Sequence, residues 1–165
     1  DLITNVGVPI RQVAAQLFQE DMSALGIKVN FELIDFSVVV ERITSTFDWD
    51  AIIIGLTGTF DPNGGSNVWL SSGNLHMWHP LQESPHTDWE AKIDEVWRTA
   101  QRAVEPEVRQ HYYYEFQDIA AEQVPLFYTV TSKNMVAIRD HLRNATPDLL
   151  AGSVVSAWNF IWIDR

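Results

Sequence analysis

Histidine is the residue type here most suited to chemistry, and three of the five fall in one polar stretch: His76 and His79, separated by Met77 and Trp78, with His86 close behind. Imidazoles at short spacing are common metal ligands. No carboxylate stands at a complementary short spacing, and a solvated loop is the stronger reading of these three. Asp48 and Asp50 flank Trp49, an arrangement that can serve as an acid/base pair when the two environments separate the carboxyl groups' pKa values. Leading straight into an apolar run, they read more simply as a strand entry. Ser71-Ser72-Gly73 lacks the Gly-x-Ser-x-Gly elbow, and no glycine-rich phosphate loop occurs. Tyr112, Tyr113 and Tyr114 suggest a ligand platform, but consecutive residues on a helix point about 100° apart, and core packing is the expected fate of Tyr112.

Two segments remain as binding candidates. Asn5 to Arg11 and Leu56 to Trp69 each follow an apolar strand, and in open α/β sheets ligands bind beyond the carboxyl ends of strands. The candidate site residues are Asn5, Arg11, Leu56, Thr57, Gly58, Thr59, Asp61, Asn67 and Trp69. Asp61-Pro62-Asn63-Gly64-Gly65 equally suits a plain turn. Asn67 and Trp69 offer an amide and an aromatic face, with Trp69 as readily buried under the loop as lining a cleft. No cofactor and no metal are expected.

The elements that must carry these residues alternate. Leu2 to Val6 reads as a strand. Gly7 to Pro9 turns it into a helix with Ile10, Val13, Ala14, Leu17 and Leu25 at helical spacing, and Gly26 suits its C′ position. Ile27 to Ile34 reads as the next strand, and Ser37 as the N-cap of a helix through Thr46. The run Ala51 to Gly55 reads as a strand covered on both faces. Strands alternating with helices imply a mainly parallel sheet with right-handed crossovers, an α/β domain with helices on both faces.

Gly58 to Pro85 is a long polar loop with a short helix near Val68 to Ser71, and loops of that length in compact domains are usually functional. Thr87 and Glu90 form a capping box for a helix with Ile93, Val96, Trp97 and Ala100 on one face. Pro106 opens a further helix with a stripe of Val108, Tyr112, Phe116, Ile119 and Ala120 that ends before Pro125. Leu126 to Val130, Met135 to Ile138 and Val154 to Ile163 are expected to add strands.

Composition narrows the partners. With 22 acidic and 11 basic residues the net charge is −11, which opposes binding to phosphate backbones, so nucleic acid is not an expected partner. At 165 residues and 46% hydrophobic, the chain supports one domain with its own core. No apolar run approaches the roughly 20 residues needed to span a bilayer. The absence of cysteine removes disulfides and thiolate chemistry.

Taken in order, DLITNVG, LGIKV, FDWDAIIIGLTG, VRQHYYYEFQDIAAEQVPLFY and AWNFIWI give the chain its identity at family level. That series resembles the C-terminal lobe of the family 5 extracellular solute-binding proteins, the oligopeptide- and dipeptide-binding receptors of bacterial ABC importers. The resemblance implies a three-layer periplasmic-binding-protein-like lobe without catalysis. It also implies a small peptide or similar solute as ligand, and importer permease subunits and the receptor's N-terminal lobe as partners. The location it implies is outside the cytoplasmic membrane, either free or lipid-anchored.

Starting at Asp1 without a signal sequence, residues 1–165 are expected to form one lobe of a larger receptor. In relatives the loop matching Gly55 to Thr59, then Asp61 and Pro62, pairs its backbone with an extended peptide and holds the peptide's amino group with an acid. This chain departs from them at Leu56, where many relatives have Trp, and at Thr59, where the acid would stand. Asp61 is the nearest substitute. A hydrolase using Asp48, Asp50 or the histidine loop, and a sensory module without transport, remain the alternatives.

Overall fold

The computed structural model describes residues 1–56, 59, 61–131, 135–145 and 160–164. Strand β1 (Leu2–Asn5) is the centre of a parallel sheet of order β2-β1-β3, flanked by β2 (Phe31–Ile34) and β3 (Ala51–Ile52). Leu2 stands opposite Phe31 on one side and Ala51 on the other. All four β1 residues are buried, as a strand covered on both faces must be. Helices α1 (Pro9–Ala24) and α2 (Phe36–Glu41) both pack on β1. The connection β1 to β2 steps to one side and β2 to β3 returns across β1, so right-handed crossovers place the two helices on opposite faces. The expected parallel α/β layering is therefore present, with helices flanking the sheet.

Its strands are shorter than the apolar runs. The β2 ladder begins at Phe31, leaving Ile27 and Val29 outside it, and β3 ends at Ile52 instead of Gly55. One more backbone bond follows, from Ile53 N–H to the Ile3 carbonyl at 3.1 Å. The buried Thr4 hydroxyl then donates to the Ile53 carbonyl at 2.7 Å, so a side chain continues the pairing where the ladder stops.

Helix α1 starts at Pro9, where the missing N–H costs nothing. It ends as Gly26 takes φ +78°, with Gly26 N–H bonded to Ser23 O and Ile27 N–H to Met22 O. The face it buries is not the apolar stripe of the sequence. Ala15 is fully buried, with Arg11, Gln12, Gln19 and Met22 half-buried beside it, whereas Ile10, Val13, Leu17 and Leu25 are exposed. A residue without a bulky side chain lets the helix approach the sheet. Gln19 Nε2 then ties it to the Val29 carbonyl at 2.7 Å.

Helix α2 has Asp35 rather than Ser37 at its N-cap position, without a side-chain capping bond, and continues as one π-helical turn, Arg42–Thr46, closed by Phe47 in a left-handed conformation.

A second core lies among α3 (Ser66–Trp69), α4 (Asp88–Arg102) and α5 (Pro106–Gln123). It gathers Val68, Trp69, Ile93, Val96, Trp97, Ala100, Tyr113 and Phe116. The α4 stripe is the expected one. On α5 the stripe is wider than expected: Phe116 is buried and Tyr112, Ile119 and Ala120 pack against the core, but Tyr113 is buried more deeply than Tyr112 and Val108 is exposed. The long α4–α5 contact is made by Trp97, whose ring meets Tyr113 and Phe116 edge-on at 5.3 and 4.7 Å, and rings fix the register.

Leu126 to Val130 forms no strand. Phe127, Tyr128 and Val130 are exposed there, and residues 135–138 lie outside any element. Near the C-terminus β4 (Leu142–Arg143) pairs antiparallel with β5 (Trp162–Ile163). Of the rest of the expected strand from Val154, residues 154–159 lie outside the described residues, and Phe160 and Ile161 are not in a strand.

Gly73 is required by close approach. A Cβ there would stand 2.1 Å from the Asn67 carbonyl oxygen and 3.0 Å from that of Leu70, both backbone atoms with no freedom to swing aside. Gly73→Ala is expected to cost up to about 3 kcal/mol, the range of an overpacked core, against about 0.5 kcal/mol or less for its exposed neighbour in Ser72→Ala. Urea unfolding of the two variants measures this. Equal midpoints would show that the Asn67–Gly73 turn relaxes freely.

Candidate functional site

The carboxyl ends of β1 and β3 bring Asn5, Arg11 and Gly55 together. Asn5 is buried, its Nδ2 donating to the Val6 carbonyl at 2.8 Å and its Oδ1 accepting from Arg11 Nη1. The Arg11 guanidinium lies over Gly55, where a Cβ would come within 2.6 Å of Nη2. Arg11 has no carboxylate partner among the described residues. The spot therefore holds a half-buried cation next to a strand end without side chain, which suits an anionic or carbonyl-rich ligand.

The second candidate segment divides. Leu56 and Thr59 are exposed, the Thr59 hydroxyl donating to the Asp61 carbonyl at 2.5 Å; Thr57 and Gly58 lie outside the described residues. Asp61 caps the 3-10 turn Pro62–Gly65 by accepting from Asn63 N–H at 2.8 Å, and accepts from Arg109 Nη2 of α5 at 2.5 Å. Its charge is thus matched by Arg109. Asn67 Oδ1 accepts from Asn74 N–H at 3.2 Å. Trp69 is buried against Trp78 and Phe116, at ring distances of 5.4 and 4.6 Å, so it supports the loop from beneath.

The histidine loop is organised by a residue that sequence reading assigned only to a cap. Glu90 and Thr87 form the capping box, but the Glu90 carboxylate, 1% exposed, collects far more than Thr87. Its Oε1 accepts from His76 Nε2 at 2.9 Å, His79 Nδ1 at 2.7 Å, Trp78 Nε1 at 3.1 Å and Gln82 Nε2 at 3.3 Å. Its Oε2 accepts from the Thr87 N–H and hydroxyl, each at 2.9 Å. One turn further along α4, the buried Asp94 accepts from Ser71 N–H at 2.8 Å and the Ser71 hydroxyl at 2.7 Å, and pairs with Arg98 at 2.9 Å. Two buried acids on one helix face therefore fasten residues 71–87. The carboxylate missing from the histidines' neighbourhood in sequence was 11 and 14 residues away, and only the Thr-x-x-Glu pattern pointed to it.

Burial pushes the Glu90 carboxyl up, but the hydrogen bonds from His76, His79 and Thr87 outweigh it and hold its pKa at about 2 against an ordinary 4.5.

None of these arrangements is a catalytic constellation. The Ser71 hydroxyl is spent on Asp94, with no imidazole as its partner. Among the described residues no group of three or more His, Asp or Glu is arranged to hold a metal ion, and no helix is long and apolar enough to cross a membrane.

No protein-family model matches the chain. It is similar to the di/tripeptide-binding protein 1 of Pseudomonas aeruginosa strain UCBPP-PA14, 27% identical over 119 residues, and to the dipeptide-binding protein of P. aeruginosa PAO1, 26% identical over 119 residues. Each match covers 72% of this chain, and the chain spans about a fifth (21%) of the length of these curated relatives. Among solved structures, one described as a peptide-binding protein, AppA from Clostridium difficile, superposes with a TM-score of 0.80 at 16% identity. That match covers 98% of this chain and 33% of that one. The oligopeptide-binding protein AppA from Bacillus subtilis, solved with a nonapeptide, superposes at 0.64 with 23% identity, covering 75% of this chain and 24% of that one. The chain shares the α/β fold of these solved structures, and the relatives it matches in sequence are named as dipeptide- and di/tripeptide-binding proteins, in keeping with the resemblance to family 5 solute-binding receptors.

Proposed function

We propose that this chain is part of an extracellular receptor that captures a peptide or similar small solute and presents it to the permease of an ABC-type importer, without catalysis. The observation that carries the reading is the cluster at the carboxyl ends of β1 and β3, where Arg11, bonded to Asn5, lies over Gly55 on a chain whose fold is that of peptide binders. The segment Gly55 to Thr59 supplies backbone to an extended ligand, the mode of recognition that reads few side chains. Thr59 leaves that segment without the acid of its relatives, and Asp61 is already engaged by Arg109. Binding in this chain therefore leans on Arg11 and the backbone rather than on a carboxylate for the peptide's amino group. The second lobe needed to enclose the solute comes from outside residues 1–165, and the receptor works on the outer side of a bacterial cytoplasmic membrane.

Amide NMR of the chain titrated with di- and tripeptides tests this. Shifts are expected at Asn5, Arg11, Gly55 and Thr59, with affinity no tighter than about 0.1 mM because half of the enclosing contacts are missing. N-acetylated peptides should shift the same amides equally. Thr59→Asp is expected to strengthen binding of free-amine peptides roughly tenfold and leave the acetylated ones unimproved. No perturbation at about 10 mM peptide, the weak limit of any useful small-ligand contact, would overturn the reading.

A further inference from the structure

His76 is almost wholly buried, and both of its ring nitrogens face oxygen. Nδ1 lies 3.0 Å from the Val68 carbonyl, which can only accept, and so carries a proton. Nε2 lies 2.9 Å from Glu90 Oε1. That oxygen already accepts from His79, Trp78 and Gln82, and the other accepts from the Thr87 N–H and hydroxyl. A carboxylate taking this many donors is ionised and has no proton to give, so Nε2 must donate as well. His79 is under no such demand: only its Nδ1 is engaged, and the neutral Nδ1–H tautomer satisfies it.

We propose that His76 is a buried imidazolium, and that its second proton is the pin that fastens α3 to α4 through the Val68 carbonyl and the Glu90 carboxylate. The pin also sets the position of the loop between them, since Trp78, His79 and Gln82 reach the same carboxylate only with that loop folded down. With a single ring proton, one of the two nitrogens would turn a lone pair toward its oxygen, and donation there would become repulsion.

The surrounding charges leave this pair to itself. From the loop, His86 packs on the far side of His79, with ring centroids 5.2 Å apart. On α4, Asp94 is taken by Ser71 and Arg98, and Asp88 sits in the exposed first turn. Helix α3 contributes no titratable side chain, only the Val68 carbonyl. Helix α5 faces α4 through Glu115, which is held by Lys92 at 3.3 Å. Among the described residues no second cation therefore reaches Glu90 in place of His76, apart from whatever charge the half-exposed His79 carries.

Nitrogen-detected NMR of the histidine rings in the intact chain at pH 7 decides the matter. Both nitrogens of His76 are expected at imidazolium shifts. A single neutral tautomer there would overturn the proposal. In Glu90→Gln the amide can donate to Nε2, so His76 should convert to the neutral Nδ1–H form; a ring still doubly protonated in that variant would equally overturn it. Hydrogen exchange at pH 7 gives a third arm. Protection of the Leu75 amide, bonded to Asn67 O, should fall roughly tenfold in His76→Leu, whose side chain cannot donate, while that of the α4 core holds. Unchanged protection there would show that the ring protons pin nothing.

Discussion

Truncating Glu90 to alanine is expected to cost about 3–5 kcal/mol, because it leaves a buried imidazolium and several buried donors without an acceptor. Removing one partner of a buried pair costs more than the pair contributes, since the survivor keeps its desolvation penalty. Glu95→Ala, one turn on and exposed, removes a surface pair with Lys92 and should change stability by about 0.5 kcal/mol or less. Urea unfolding at pH 7 compares the two, and a Glu90→Ala loss below about 1 kcal/mol would show that the carboxylate's many contacts are of little consequence.

The same residue predicts an acid limb. Its folded pKa, about 2, lies below the ordinary 4.5, so it contributes stability that is complete above about pH 4.5 and lost as pH falls toward 2. The full linkage is about 3 kcal/mol. The double variant His76→Gln/Glu90→Gln has neither group to protonate, and its unfolding free energy should lack that portion of the acid dependence. An identical acid limb in both proteins would assign it to other carboxyl groups.

Trp97→Ala is expected to lose about 3–5 kcal/mol, the cost of removing a large ring from a closed core. Trp97 is 2% exposed and lies between Tyr113 and Phe116, with its benzo edge 3.4 Å from where a Gly65 Cβ would stand. The loss is one of packing, since Nε1 has no hydrogen-bond partner among the described residues. Trp97→Phe should recover more than half of it, keeping a ring edge-on to both neighbours and discarding an unpartnered N–H. The exposed Val104→Ala supplies the reference, within about 0.5 kcal/mol of the native chain. If Trp97→Phe were as damaging as Trp97→Ala, the indole nitrogen rather than ring packing would be what matters there.

Local rules determined much of this protein from the sequence itself. Gly26 had to end α1, because a left-handed residue there is free of strain only without Cβ. The Thr87–Glu90 box had to open α4, because its donors and acceptors lie three residues apart on one turn, and Ile93, Val96, Trp97 and Ala100 share a face by helical period alone. The parallel direction of β1, β2 and β3 followed from strands alternating with helices, whereas the meeting of Asn5 and Arg11 with Gly55 did not.

What the sequence left open depended on which surfaces meet. Ile10, Val13 and Leu17 have helical spacing, yet α1 buries Ala15 instead, since spacing names a stripe but the sheet selects the face that can approach it most closely. Tyr112 and Tyr113 differ by one position, and the ring of Trp97 on the opposite helix chose between them. Leu126 to Val130 has the composition of a strand, but a strand needs a neighbour to pair with, and composition does not provide one. Glu90 shows the division within one side chain: its bond to Thr87 was legible because it is local, and its hold on His76, Trp78, His79 and Gln82 was not, because those donors reach it only once a loop of no regular period has folded back onto α4.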